Sequence, residues 1–237
     1  MVGSVQASRR PAALLPPAGQ ALVRLLVVSA WVVLVTVVAW LVLLLPATPT
    51  GELGEQLAAL REGMGTYRWG FVNAAVINPA LVVMLSAATM VLARGPLRPH
   101  EIAGGILLAA YWVLPTLAYV SQFALLPRLL DKEAAELWYF GNPESVSYWL
   151  AMTGYGLFGI GAVLFASRFL DGTARAFGWV LLASGLASAV GLVGYGLANE
   201  PLELASTLGG ALVVPLAILA LLAGRRIAAV ATPHVPG

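Results

Sequence analysis

Six times along this chain, some 20 mostly apolar residues follow one another with no charged side chain in their midst. The first such run, LLVVSAWVVLVTVVAWLVLLL at 25–45, sets the pattern. A bilayer core about 30 Å thick needs roughly 20 apolar residues to cross it as a helix. Backbone amides in lipid must find partners within their own segment, which each helix supplies. The six stretches lie at about 23–45, 70–93, 102–126, 146–167, 176–198 and 203–224. Composition agrees, since 60% of the 237 residues are hydrophobic and 10% are charged. Ordinary soluble domains carry roughly 25% charged residues. The expected fold is an all-α integral membrane protein, a six-transmembrane-helix bundle. Residues 1–22 form an N-terminal tail, 23–224 the transmembrane domain and 225–237 a C-terminal tail.

Charge sets the direction. Arg9, Arg10, Arg24, Arg94, Arg98, Arg168, Arg175, Arg225 and Arg226 fall on one side of the six spans; Arg61, Arg68, Arg128 and Lys132 fall on the other. Basic residues concentrate on the cytoplasmic side of membrane proteins. The acidic residues run the other way, with only Glu101 and Asp171 on the arginine-rich side. Both termini are thus expected in the cytoplasm (N-in, C-in), in the plasma (inner) membrane of a bacterium or archaeon. The arginine bias over lysine, twelve to one, fits a GC-rich genome. The apolar run 25–45 exceeds a secretory h-region of 7–15 residues, so SRRPAALLPPAG before it is not expected to be a cleaved signal. A surplus of positive charge on one membrane face argues against nucleic acid as a partner. Arg94, Arg98, Arg225 and Arg226 read as topology anchors that also meet anionic headgroups.

Two outer loops have helical character. In 46–69, Leu53, Leu57, Leu60 and Met64 recur at helical spacing opposite Glu52, Glu55, Arg61 and Glu62. This predicts a short interfacial amphipathic helix in the first outer loop. Loop 127–145, with LLDKEAAELWYFGNP, predicts a charged helical turn, then Trp138, Tyr139 and Phe140 at headgroup level, ended by Gly141-Asn142-Pro143. Its acidic set, Asp131, Glu133, Glu136 and Glu144, lacks the spacing of a calcium loop and reads as a solvated face.

GYGLFGIG at 154–161 matches the dinucleotide-binding pattern G-x-G-x-x-G. That pattern needs a preceding strand and a helix start with free amides. Here it lies inside an apolar run, so the glycines are expected to bring helices together. Small-xxx-small spacing does this in membranes, and Ser184, Ser188 and Gly191 of the fifth span and Ser206 and Gly210 of the sixth repeat the theme.

The reactive side chains are few. Cysteine is absent; His100 and His234 lie outside the spans, as does Lys132. No span supplies a haem histidine pair, a Schiff-base lysine, a midplane carboxylate or a nucleophile with its base. An enzyme is not expected, nor a metal or cofactor. What remains is a set of uncharged polar residues gathered toward the outer side: Asn73 and Asn78; Tyr111, Pro115, Tyr119 and Gln122 on one face of the third span; Tyr148, Met152, Tyr155 and Gly159 on one face of the fourth; and Tyr195. Pro79, Pro115 and Pro215 each remove a backbone hydrogen bond and are expected to kink their helices. Asn78, Tyr119, Gln122 and Tyr155 combine polarity with depth and are the candidate ligand-binding residues. The leading expectation is a non-catalytic protein acting through helix–helix contacts as a complex subunit, sensor or assembly factor, with a protein partner or a homo-oligomer. The alternative is binding or transport of a neutral or lipid-like small molecule in an outer polar pocket.

Overall fold

The structure is a computed structural model that describes residues 16–44, 46–93 and 95–231. Arg9, Arg10, Arg94 and His234 lie outside the described residues. The helices are α1 (Pro17–Leu44), α2 (Leu53–Leu92), α3 (Pro99–Val120), α4 (Ala134–Trp138), α5 (Val146–Ala166), α6 (Arg175–Leu197), α7 (Glu200–Ala211) and α8 (Val213–Ala231). No strand occurs among the described residues. Six helical stretches are long and apolar enough to cross a membrane, α7 and α8 together making the sixth.

Consecutive spans are neighbours, and the last returns to the first, so the spans form a ring in the order α1, α2, α3, α5, α6, α8. The start of α1 lies against the end of α8, where Gly224 faces Leu26 and Val27. This defines a basal end, where the described chain begins and ends, and a distal end opposite. The interior divides accordingly. One apolar cluster joins Leu26, Met84, Leu108, Phe165, Phe177 and Leu216, with neighbours, in the basal part. The other joins Leu44, Leu60, Tyr67, Phe71, Leu126 and Tyr139 in the distal part. The lipid-facing surface is apolar too: Val28, Val42, Met90, Ile106 and Val193 are all exposed, as a helix in hydrocarbon requires.

The glycines of GYGLFGIG serve two neighbours, two glycines to each. Gly154 and Gly161 face α3, and Gly156 and Gly159 face α6. A methyl on Gly161 would stand 2.9 Å from the Gly104 carbonyl oxygen, and one on Gly159 2.7 Å from that of Gly185. The helices are in backbone contact there, which is the packing mode expected of small residues in lipid. On α6, Ser184, Ser188 and Gly191 face α7, and the Ser184 hydroxyl donates to the Gly209 carbonyl at 2.7 Å. The small residues that meet them are Ser206 and Gly209. Gly210, expected in that role, points away, because one helical residue rotates the side-chain direction by about 100°.

The leucine-spaced segment of the first distal loop is helical, but it is the beginning of α2 and is joined to the span through non-helical backbone at Gly63 (φ −125°, ψ 28°). Leu57 and Leu60 are buried against Leu126, Leu130, Ala135 and Tyr139, with Leu53 and Met64 partly buried beside them. Arg61 donates to the Leu130 carbonyl, and the Tyr139 hydroxyl donates to Gln56 Oε1 at 2.7 Å. The two distal loops therefore cover each other and cap the ring. The aromatic cluster expected at headgroup level is turned inward in part: Tyr139 is fully buried and Phe140 partly so. Burial pushes the Tyr139 phenol up to about 12. Asn142 donates from Nδ2 to the Glu136 carbonyl and closes the turn after α4.

Of the three expected proline kinks, the sixth span has a break. Pro215 has no amide to give the Ala211 carbonyl, and the helix stops at Ala211 and resumes at Val213. α2 and α3 run on through Pro79 and Pro115. The third span departs from α geometry later, in a single π turn at Ser121–Leu125.

Candidate functional site

The four candidate residues occupy two levels of the interior. Asn78 and Tyr155 belong to the middle of the bundle. The Tyr111 hydroxyl donates to Asn78 Oδ1 at 2.8 Å, joining α3 to α2, and Asn78 is 2% exposed. The Tyr111 ring lies 6.3 Å from that of Tyr155 and 5.0 Å from Phe158. The Asn78 amide nitrogen has no hydrogen-bond partner. Turning the amide over would exchange an unpaired donor for an unpaired acceptor, because one partner cannot satisfy both ends. Tyr155 packs against both apolar clusters and so marks their boundary.

Tyr119 and Gln122 lie nearer the distal cap. Gln122 is 11 residues beyond Tyr111, about 16 Å along a helix axis. It is fully buried inside the π turn. Its Oε1 accepts from the Tyr67 hydroxyl at 2.9 Å and from the Phe140 amide at 3.0 Å. Its Nε2 donates to the Trp138 carbonyl at 2.7 Å and reaches the Ser121 hydroxyl and Ala118 carbonyl at 2.9 and 3.3 Å. Every polar atom of Gln122 is used within the chain. The wider π turn points this side chain at the loop after α4, a role π turns often have at specialised positions. Tyr119 is 4% exposed, its ring 5.6 Å from Phe71 and 5.8 Å from Phe140. The aromatic contacts continue through Tyr148 to Tyr195, whose rings meet edge-on at 5.8 Å. An aromatic layer thus crosses the distal half from α2 to α6. The structure joins Asn78 to Tyr155 through Tyr111, and holds Tyr119 and Gln122 in this layer.

Asn73 works differently: its Nδ2 donates to the Thr36 carbonyl of α1 at 2.6 Å. The distal carboxylates Asp131, Glu133, Glu136 and Glu144 are exposed, and among the described residues no group of three or more His, Cys, Asp and Glu is gathered for a metal.

The sequence reading missed one buried polar site. Glu101, 1% exposed, receives Arg168 Nη1 at 2.7 Å and the Arg98 amide at 2.7 Å. Arg168 also donates to the Gly95 and Pro96 carbonyls. Gly95 has φ +80°, a conformation that favours glycine. The pair fastens the α2–α3 turn to the end of α5 at the basal face. A signal existed, since Glu101 is one of two acids on the arginine-rich side.

The sixth span supplies the remaining feature. α8 closes the ring against α1 and α2, whereas α7 packs on α6 and scarcely touches α1. Thr207, Leu208, Gly210 and Ala211 are exposed on its other side, and nothing lies within 4 Å of the place a Gly210 methyl would take. The distal halves of α1 and α7 are therefore not packed closely on each other.

These features define a multi-pass helical membrane protein. No family model matches the chain, and neither curated proteins nor solved structures match it.

Proposed function

We propose that the protein is a non-catalytic subunit of a membrane complex, seating a partner transmembrane helix against α7. The observation that carries this reading is the broken sixth span. Its distal half is held on one side only and presents small residues, Thr207, Gly210 and Ala211, on the other. Such surfaces let helix backbones approach closely in lipid, where apolar burial alone gives no drive to associate. The arginine asymmetry supports an orientation with the basal end in the cytoplasm and the distal cap, including the first turns of α2, at the outer surface of a bacterial or archaeal plasma membrane.

The chain has no cysteine, so single cysteines report on their own. Thr207→Cys and Gly210→Cys, labelled with a thiol-reactive benzophenone and irradiated in native membranes, are expected to give one discrete crosslinked species, either a hetero-complex or a homo-oligomer, since the photogenerated diradical inserts into any nearby C–H bond. Cysteines on the exposed face of α1, such as Val38→Cys, are expected to give none. Monomer alone from both α7 positions would end this reading.

A second reading is supported by the unbonded Asn78 amide. A neutral or lipid-like molecule reaching the interior at this level would find an amide donor that no group among the described residues uses. Native mass spectrometry of the protein from its own membranes tests this. A small molecule lost in Asn78→Ala favours a ligand, and a bare chain counts against it.

A further inference from the structure

A groove of about 510 Å3 opens at the basal end, between the end of α2, the beginning of α6 and the last turns of α8. Leu92, Phe177, Leu219 and Ile227 give it apolar walls, and Thr173 and Arg226 stand on its border. From these features we infer that the groove binds an anionic phospholipid, its phosphate on Arg226 and an acyl chain between α2, α6 and α8. This inference does not rest on the partner-helix reading, which concerns the opposite end.

Three observations fix the occupant's chemistry. The volume falls in the range of small-molecule sites, roughly 300–1,000 Å3. Walls of this kind take hydrocarbon; a free anion has no use for them. The border, in turn, is cationic. Arg226 is exposed and makes no ion pair among the described residues. Asp171, in the chain just before Thr173, is offset by Arg175 at the start of α6, which leaves Arg226 as the net positive charge of the border. A neutral molecule would leave that charge unused. One phosphate with a hydrocarbon tail satisfies both halves of the groove.

Arg225 provides the internal control. It is the adjacent residue and carries the same charge, but its guanidinium lies over the Trp31 ring at 5.7 Å, away from the groove. The test uses the full chain, delipidated in detergent. Phosphatidylglycerol and phosphatidylcholine of the same acyl chains are titrated and bound lipid is counted by native mass spectrometry.

The expected result is retention of phosphatidylglycerol over phosphatidylcholine. Arg226→Gln lowers occupancy about fivefold, the worth of one basic residue at an anionic surface, and Arg225→Gln leaves it unchanged. Ala223→Phe fills the groove without altering charge and lowers occupancy too. Equal loss in Arg226→Gln and Arg225→Gln would reduce the effect to general surface charge and overturn the inference. So would equal retention of the two lipids. Displacement of phosphatidylglycerol by inorganic phosphate, with Ala223→Phe silent, would assign the border to a free anion and overturn it as well. Arg226 is exposed and makes no ion pair among the described residues, so the melting temperature of Arg226→Gln is expected to match that of the parent, whereas Arg225→Gln also loses its contact with Trp31.

Discussion

Replacing Gln122 with methionine keeps length and flexibility and removes every hydrogen bond of the side chain. The structure says which groups lose their partners. The Tyr67 hydroxyl and the Phe140 amide both donate to Gln122 Oε1. The Trp138 carbonyl is less affected, since it also accepts from the Ser147 hydroxyl at 2.6 Å. Two donors are therefore orphaned. A buried donor left unsatisfied costs about 1–3 kcal/mol, and Phe140 is only partly buried and lies near the cap, so its share falls at the low end. Gln122→Met is expected to destabilise by about 2–4 kcal/mol. Tyr67→Phe alone is expected to cost about 1 kcal/mol. In the double variant the Tyr67 hydroxyl is no longer there to be orphaned, so the two costs overlap by about 1 kcal/mol. Equilibrium unfolding in detergent micelles, with all four proteins in one series, measures the cycle. Costs that add to within about 0.3 kcal/mol would mean that the hydrogen bond is not energetically coupled, and would refute the assignment of Gln122 as a structural brace.

Gly159→Ala is expected to cost about 1–3 kcal/mol because its methyl meets the α6 backbone, whereas Gly210→Ala, with open space around it, is expected to be neutral or slightly stabilising; thermal melts compare them. Glu101→Gln removes the counter-charge of Arg168, which keeps the Gly95 and Pro96 carbonyls at the basal face, and a loss of about 1–3 kcal/mol is expected; an unchanged melting temperature would show the pair is dispensable. The Tyr139 phenol, raised by burial from 10.0 to about 12, is expected to stay protonated at pH 11 when followed by ultraviolet absorbance. Its folded value is the higher one, so its contribution to stability is complete below pH 10 and is lost as pH rises from 10 toward 12. Tyr139→Phe is expected to remove that part of the alkaline destabilisation.

What was legible in the chain is what depends on apolar length and residue size. The six spans follow from runs of hydrocarbon, and the helix contacts of Gly154, Gly156, Gly159 and Gly161 from the fact that glycines inside a lipid-embedded helix have backbone approach as their main use. Features that depend on which neighbour arrives first were not legible. Leu53, Leu57, Leu60 and Met64 specify an amphipathic helix equally well whether its leucines meet lipid or Tyr139. That α2 absorbs it follows from Gly63, where the backbone bends and the helix resumes. Tyr139 and Phe140 look like headgroup anchors until Gln122, aimed by the π turn, draws the Phe140 amide inward. The spacing of Tyr111, Tyr119 and Gln122 placed them on one face, yet one face of a long helix passes several neighbours at different depths. Asn78 and Gln122 consequently belong to different networks. Glu101 and Arg168 are 67 residues apart in the chain, and only the closeness of α3 and α5 brings them together.

The break at Leu212 has a bearing on how the chain enters the bilayer. With 12 and 19 residues, α7 and α8 are about 18 and 28 Å long, so the first falls far short of a 30 Å hydrocarbon core and the second just short of it. The insertion machinery must therefore accept residues 200–230 as one apolar segment. The two halves separate in role only afterwards, once α8 has docked on α1. Completion of the ring thus waits for the sixth of these spans, and without the residues from Val213 onward five membrane-inserted helices would be left with an open seam.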